Sequence, residues 1–296
     1  MSLKPILKTP NAHSWRVGEL LYSGSPAPSI MGIINVTPDS FFDGGQYNTV
    51  EQAFEQALKL LDEGATIIDI GGESSRPGSA TVSLEEELNR VLPIIQKLSP
   101  LKAQLNFSIS IDTVKSQVAL NAIDAGADIV NDISALSIDP LMANVIFKKK
   151  ASCVLNHMRG GFSTMQQDFK PYTNVVEEVQ KELLQAAQKL VDLGVPREKI
   201  CLDPGIGFGK SLRDNLGLIA SGSDFLSGGY PIMWGLSRKS YIGKIPGLEK
   251  SNRLIPSVVS AFIAALGGAT ILRVHDVAET QESLKLLEAF RSYDFI

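Results

Sequence analysis

Eight short apolar runs punctuate the chain. They are IMGIIN (30–35), TIIDI (66–70), SISID (108–112), DIVN (128–131), SCVLNH (152–157), ICLD (200–203), PIMWGLS (231–237) and TILRV (270–274). Most are continuously apolar, the pattern of parallel strands covered on both faces. Amphipathic stretches alternate with them. VEQAFEQALKLLDEG (50–64) keeps Phe54, Leu58 and Leu61 on one helical face. SLEEELNRVLPIIQKL (83–98) opens with Ser83 and carries Glu86 three residues later, the spacing of a capping box. Further helices are predicted over 175–193, 252–266 and 277–291. Three runs share one design: GATIID (64–69), GADIVN (126–131) and GATILR (268–273). Each opens with a glycine suited to a helix C-terminus, continues into β-rich residues and ends on a polar one: Asp69, Asn131 or Arg273. The first two start 62 residues apart, the length of two βα units of about 30 residues each.

Eight strands alternating with helices in 296 residues predict an α/β fold, a single (β/α)8 TIM barrel. A doubly wound open sheet rarely needs eight parallel strands. No Pro- or Ser-rich linker divides the chain, so residues 29–296 read as one barrel, with residues 1–28 as an N-terminal extension over its floor. The apolar fraction of 44% is ample for such a core, and a net charge of −4 without a basic stripe argues against nucleic acid as a partner. No apolar run approaches the ~20 residues of a membrane span, and no signal-peptide pattern opens the chain. Cys153 and Cys201 sit inside apolar runs and read as buried, reduced thiols. A cytoplasmic enzyme is expected.

Barrels place their chemistry at the C-terminal ends of their strands. Those ends supply Asn35, the loop GGESSRPG (71–78), Asp112, Asn131, Asn156 with His157, Asp203, Ser237–Arg238–Lys239, and Arg273 with His275. A polar group at one strand end is unremarkable; at all eight it points to a site. Arg76, Lys239, Arg273 and His275 form a cationic half suited to phosphate. Asp112, Asn131 and Asp203 suit the edge of a flat, amide-like heterocycle. LDPGIGFGKS (202–211) is not a P-loop, because Pro204 stands where the first glycine belongs. His13, His157 and His275 lack zinc spacing. An Mg2+ ion held by Asn35 and a substrate phosphate fits the preference of magnesium for few protein ligands. The loops 37–48 and 71–80, the first carrying Phe41 and Phe42, read as covers for the barrel mouth.

Seven motifs, GIINVTPDSFFDGG, GGESSRPG, SIDT, NDIS, LDPGIGFGKS, GLSRKS and RVHDV, occur in one order across residues 31 to 277 and resemble those of the dihydropteroate synthase family. The resemblance implies a folate-pathway transferase, a homodimer, that joins 6-hydroxymethyl-7,8-dihydropterin pyrophosphate to p-aminobenzoate and releases pyrophosphate. It implies pterin binding by Asp112, Asn131, Met158, Asp203, Phe208 and Lys239, with Asp203, Lys239 and Asp112 catalytic. Asn35, Arg76, Arg273 and His275 would bind pyrophosphate, with Asn35 holding Mg2+. Phe41, Ser75, Arg76, Pro77, Lys239 and Ser240 would take p-aminobenzoate. Ser75 replaces the usual Thr and Phe42 a frequent Ser, departures that bear on the p-aminobenzoate pocket and on sulfonamide response. Two other readings are a pterin-binding methyltransferase domain, which would not need SRKS together with RVHDV, and a non-catalytic pterin-binding homologue.

Overall fold

The computed structural model describes residues 12–36, 45–74, 81–160 and 171–292. Phe41, Phe42, Ser75, Arg76 and Pro77, with most of both predicted mouth-covering loops, lie outside the described residues.

The eight predicted strands all form. They are β3 (Ser29–Asn35), β4 (Ile67–Gly71), β5 (Ser108–Asp112), β6 (Ile129–Asp132), β7 (Ser152–Asn156), β8 (Ile200–Asp203), β9 (Met233–Gly235) and β10 (Ile271–Val274). Every pairing between neighbours is parallel, in the order β8-β7-β6-β5-β4-β3-β10-β9. The ring closes where Leu202 bridges Ile232 and its amide donates to Pro231 O at 2.9 Å. β9 is shorter than the predicted 231–237. Pro231 has no N–H to give the ladder, and Arg238 takes a left-handed turn (φ 55°) that ends the extended run.

The helices are α1 (Gly45–Asp62), α2 (Leu84–Leu98), the short α3 (Lys102–Leu105), α4 (Ser116–Asp124), α5 (Met142–Lys149), α6 (Val175–Asp192), α7 (Leu212–Ala220), α8 (Leu254–Leu266) and α9 (Val277–Ser292). α1 starts five residues earlier than predicted, so residues 45–48 belong to a helix and not to the preceding loop. The capping box at Ser83 is half formed. Its hydroxyl accepts from the Glu86 amide at 3.2 Å, while the Glu86 carboxylate turns to Arg90, the stronger charged partner four residues on. A complete capping box appears instead at Ser211 and Asp214, opening α7.

Side chains alternate across the barrel wall. Met31, Ile67, Ile129, Val154, Cys201, Met233 and Ile271 pack together inside, whereas Ile68, Ile109, Val130, Cys153, Leu155 and Leu272 pack outward against the helices. A two-stranded antiparallel hairpin, β1 (Trp15–Val17) and β2 (Leu20–Tyr22), lies under the inner cluster. Trp15 is wholly buried, and its Nε1–H donates to Lys199 O at 3.0 Å. Tyr22 donates to Ser108 Oγ at 2.8 Å inside the barrel. Each aromatic ring contributes on the order of 1.5–3 kcal/mol by leaving water, and its polar tip is satisfied. The two cysteines are free and buried on adjacent strands.

Candidate active site

Above the hydrocarbon floor, the inward positions become polar. β4 contributes Asp69, β5 Ser110 and Asp112, β6 Asn131, β8 Asp203 and β10 Arg273. Asp69, Asn131 and Asp203 are all at least 97% buried. The three residues that ended the GAT-type repeats meet here. Arg273 Nε donates to Asp69 Oδ2 at 2.6 Å, and Asn131 Nδ2 donates to the same oxygen at 3.2 Å. Arg273 Nη2 donates to Asp112 Oδ2 at 2.6 Å. A guanidinium fork shared between two carboxylates gives Arg273 a fixed orientation and holds its pKa above the usual arginine value, against the effect of burial. Asp69 was not among the site residues expected from sequence. The alternation Ile67, Asp69, Gly71 on the inner face of β4 was the available signal.

Arg273 therefore does not stand as a free cation in the mouth. His275 does not carry charge there either. Burial, with Arg273 and Arg238 nearby, lowers its pKa to about 4, so the ring is neutral near pH 7. The His275 amide donates to Ser237 Oγ at 3.2 Å, which leaves that hydroxyl to donate to Nδ1 at 3.0 Å. The remaining ring nitrogen, Nε2, then carries the proton and is a donor. Among the described residues, the predicted cationic half is thus Lys239 together with a compensated arginine and a neutral imidazole, while Arg76 lies outside them.

At the mouth, the buried acceptors Asn131 Oδ1 and Asp69 Oδ1 have no partner among the described residues, and Ser110 Oγ is unpaired as well. Unpaired buried polar atoms cost about 1–3 kcal/mol each, so a cluster of them at a barrel mouth is a place for a ligand's N–H groups. Asp203 has one oxygen engaged, Oδ1 accepting from the Gly205 amide at 2.7 Å. Burial raises the Asp203 carboxyl and pushes that of Asp112 up to about 7 even with Arg273 beside it. Burial and the neighbouring Arg273 bring Lys239 down to about 8, with Asp203 and Asp112 opposing.

One wall is apolar. Phe208, Val114 and Ile133 are buried together, and Met158 packs against them. Lys239 Nζ lies 4.1 Å from the centre of the Phe208 ring. Met158, Phe208 and Lys239, predicted from three separate motifs, therefore share one slot with Asp203. Val114 and Ile133 were missed; each stands two residues past a predicted polar strand end. The left-handed Arg238 aims its own side chain outward to Asp276, while its amide donates to Ser257 Oγ at 2.8 Å. That turn presents Lys239 to the slot and leaves Ser240 on the exposed rim.

Asn35, at the end of β3, faces the same space as Asp112. A Cβ built on Gly71 would lie 3.8 Å from both Asn35 Oδ1 and Asp112 Oδ2. Behind Gly72, Lys115 donates to Glu73 and to the fully buried Glu87 at 2.5 Å, and Glu73 also accepts from the Val82 amide at 3.1 Å. This ion cluster ties both described ends of the loop after β4 to the barrel. No group of three or more His, Cys, Asp or Glu side chains able to hold a metal occurs among the described residues.

A closed parallel barrel with buried carboxyls, an amide, a lysine and an aromatic wall at its C-terminal mouth defines an enzyme site for a flat, nitrogen-rich ligand. The family model described as pterin binding enzyme matches residues 31–275. The dihydropteroate synthase of Escherichia coli (strain K12) is 43% identical over 262 residues, 88% of this chain and 91% of its own. The Xanthomonas albilineans dihydropteroate synthase solved with 4-aminobenzoic acid superposes with a TM-score of 0.86 at 39% identity, covering 97% of this chain and 100% of that one. The Burkholderia cenocepacia enzyme complexed with 7,8-dihydropteroate gives 0.83 at 37% identity, covering 95% and 97%. The chain belongs to the dihydropteroate synthase family of pterin-binding enzymes.

Proposed function

We propose that this chain transfers the pterinylmethyl group of 6-hydroxymethyl-7,8-dihydropterin pyrophosphate to p-aminobenzoate, forming dihydropteroate and releasing pyrophosphate. The observation that carries this reading is the shared slot of Asp203, Asp112, Asn131 and Lys239 against the Phe208–Met158 wall. Asp112 and Asp203, when ionised, accept N–H bonds from the pterin edge, and the unpartnered Asn131 Oδ1 accepts another. Phe208 and Met158 cover the ring faces. In the reaction, the bond from the methylene carbon to the pyrophosphate oxygen breaks and its electron pair leaves with pyrophosphate. The electron-rich dihydropterin ring spreads the resulting positive charge, which Asp203 offsets from a buried position. The arylamine nitrogen then bonds to the methylene carbon and gives up its proton. No covalent enzyme intermediate is required.

Arg273 and the Nε2–H of His275 supply donors for pyrophosphate beside the carboxyls, with Arg76 assigned to the same role. Asn35 fits a magnesium ion that draws its other ligands from water and phosphate. Such an ion would neutralise charge on the departing pyrophosphate. Phe41, Ser75, Arg76, Pro77, Lys239 and Ser240 are assigned to p-aminobenzoate, and sulfonamides would compete there. We assign the enzyme to the cytoplasm, where the two thiols stay reduced; no helix among the described residues is long and apolar enough to cross a membrane.

A homodimer is supported by one surface. Ile255, Val259 and Ile263 recur every fourth residue on α8 and are 73%, 50% and 43% exposed, beside exposed Leu286 and Phe290 on the adjoining α9. A repeated apolar stripe of this kind is a protein–protein contact more than a water-facing one.

The deciding measurement is pyrophosphate release with the pterin substrate, p-aminobenzoate and Mg2+, each omitted in turn. Release that needs all three, with equimolar dihydropteroate, is the expected result. Release without p-aminobenzoate would overturn the acceptor, and pterin binding without release would overturn catalysis.

A further inference from the structure

The turn that follows Asp203 owes its shape to a residue behind it. Gly205, Gly207 and Gly209 all take left-handed φ values, 71°, 87° and 67°. At the first and last of these the chain also passes too close to its neighbour for any side chain. A Cβ on Gly205 would lie 1.8 Å from His157 O, and one on Gly209 would lie 2.0 Å from Arg159 O. The turn is thus pressed against residues 157–159, which leave the end of β7.

Lys210 closes this seam. It is 2% exposed, and its Nζ lies 2.8 Å from Gly205 O and 3.1 Å from Phe208 O on the turn. On the β7 side it lies 3.2 Å from His157 O and 2.9 Å from His157 Nδ1. The imidazole is neutral, since burial and Lys210 lower its pKa to about 3. Nδ1 therefore accepts from Lys210, and Nε2 carries the hydrogen donated to Glu182 Oε2 at 2.8 Å. Arg159 pairs with Glu182 and Glu178 and stacks on Tyr172 at 3.9 Å. The connection thus runs from the pterin slot through Lys210 and His157 to the outer helix α6.

We propose that Lys210 is a positioning residue for the pterin side of the site, holding the turn so that Phe208 meets Lys239 and the Gly205 amide meets Asp203. Lys210 acts through the carbonyls of Gly205 and Phe208 and through His157. This rests on the dihydropteroate synthase reading only in taking the slot as the pterin site. Lys210→Met removes Nζ and keeps most of the side chain's length.

Three readouts test it together. With 15N-labelled histidine, only three histidines appear; the His157 Nδ1 resonance moves towards that of a non-bonded nitrogen in Lys210→Met while Nε2 stays protonated. Calorimetry with the pterin substrate shows affinity at least tenfold weaker, and the KM for p-aminobenzoate stays within twofold. Should Lys210→Met not fold, Glu182→Gln loosens the chain at its half-exposed end, and pterin affinity falls two- to fivefold with p-aminobenzoate KM unchanged. An unmoved His157 resonance, pterin affinity within twofold in both variants, or equal losses for both substrates would overturn the proposal. An unmodified chain that makes no dihydropteroate, with the resonance shift and pterin loss intact, would overturn the reaction and uphold the positioning role.

Discussion

Arg273 and Asp69, 204 residues apart in sequence, meet at 2.6 Å in the centre of the barrel. Asn131 joins them on the same carboxylate oxygen. The arginine assigned to the pyrophosphate is therefore oriented from below by Asp69 and from the side by Asp112. Its charge is largely offset before substrate arrives, which makes it a rigid donor array more than a mobile cation.

Replacing Arg273 by Ala is expected to weaken binding of the pterin pyrophosphate by about 1.5–3 kcal/mol, the scale of a charge-assisted hydrogen bond. Binding of a pterin lacking the pyrophosphate should change much less. Calorimetry with both ligands checks this, and equal losses would place Arg273 outside the anion site.

Asp203→Asn keeps the shape of the slot and the acceptor for the Gly205 amide but removes the charge. Turnover should fall at least ~100-fold, as for loss of a main electrostatic stabiliser. Single-turnover kinetics that stay near normal would take Asp203 out of the mechanism.

The pH profile of kcat/KM for the pterin substrate should be bell-shaped. Asp112 is raised to about 7 by burial, so its accepting, ionised form is lost as pH falls through that value. Lys239 is lowered to about 8, so its charge is lost as pH rises through that value. The linkage to folding has a definite sign as well. A carboxyl whose folded pKa lies above its unfolded value binds more protons when folded, so Asp112 makes stability decline between about pH 4 and 7. Asp112→Asn should remove the acidic limb; a limb that persists in that variant belongs to another group.

Val259→Glu places a charge in the middle of the α8 stripe. Sedimentation should show a dimer for the unmodified protein and a monomer for the variant. A monomeric unmodified protein at micromolar concentration would rule out the stripe as a dimer contact.

The strands and long helices were legible because each is written in local periodicity. The ends were less so, because they depend on contacts made elsewhere. β9 stops at Gly235 when Arg238 turns left-handed, and the Ser83 box is opened by the attraction of Glu86 to Arg90. At the site, sequence pointed to Asp112, Asn131, Asp203, Met158, Phe208 and Lys239, which do converge. It gave the wrong charge state to His275, since burial is a property of the assembled mouth. It passed over Asp69, whose role exists only once β4, β6 and β10 lie side by side. Lys210 was left without a role once Pro204 ruled out a phosphate loop, because a spacing pattern does not tell which side of the turn a side chain takes.

The hairpin beneath the barrel has a bearing on traffic. Trp15 and Tyr22 stopper the end opposite the chemistry, with Tyr22 anchored to Ser108 within the wall. Among the described residues, the vessel is corked at its base. A ligand of the buried carboxyls would then come and go by the mouth, past whatever is bound above it.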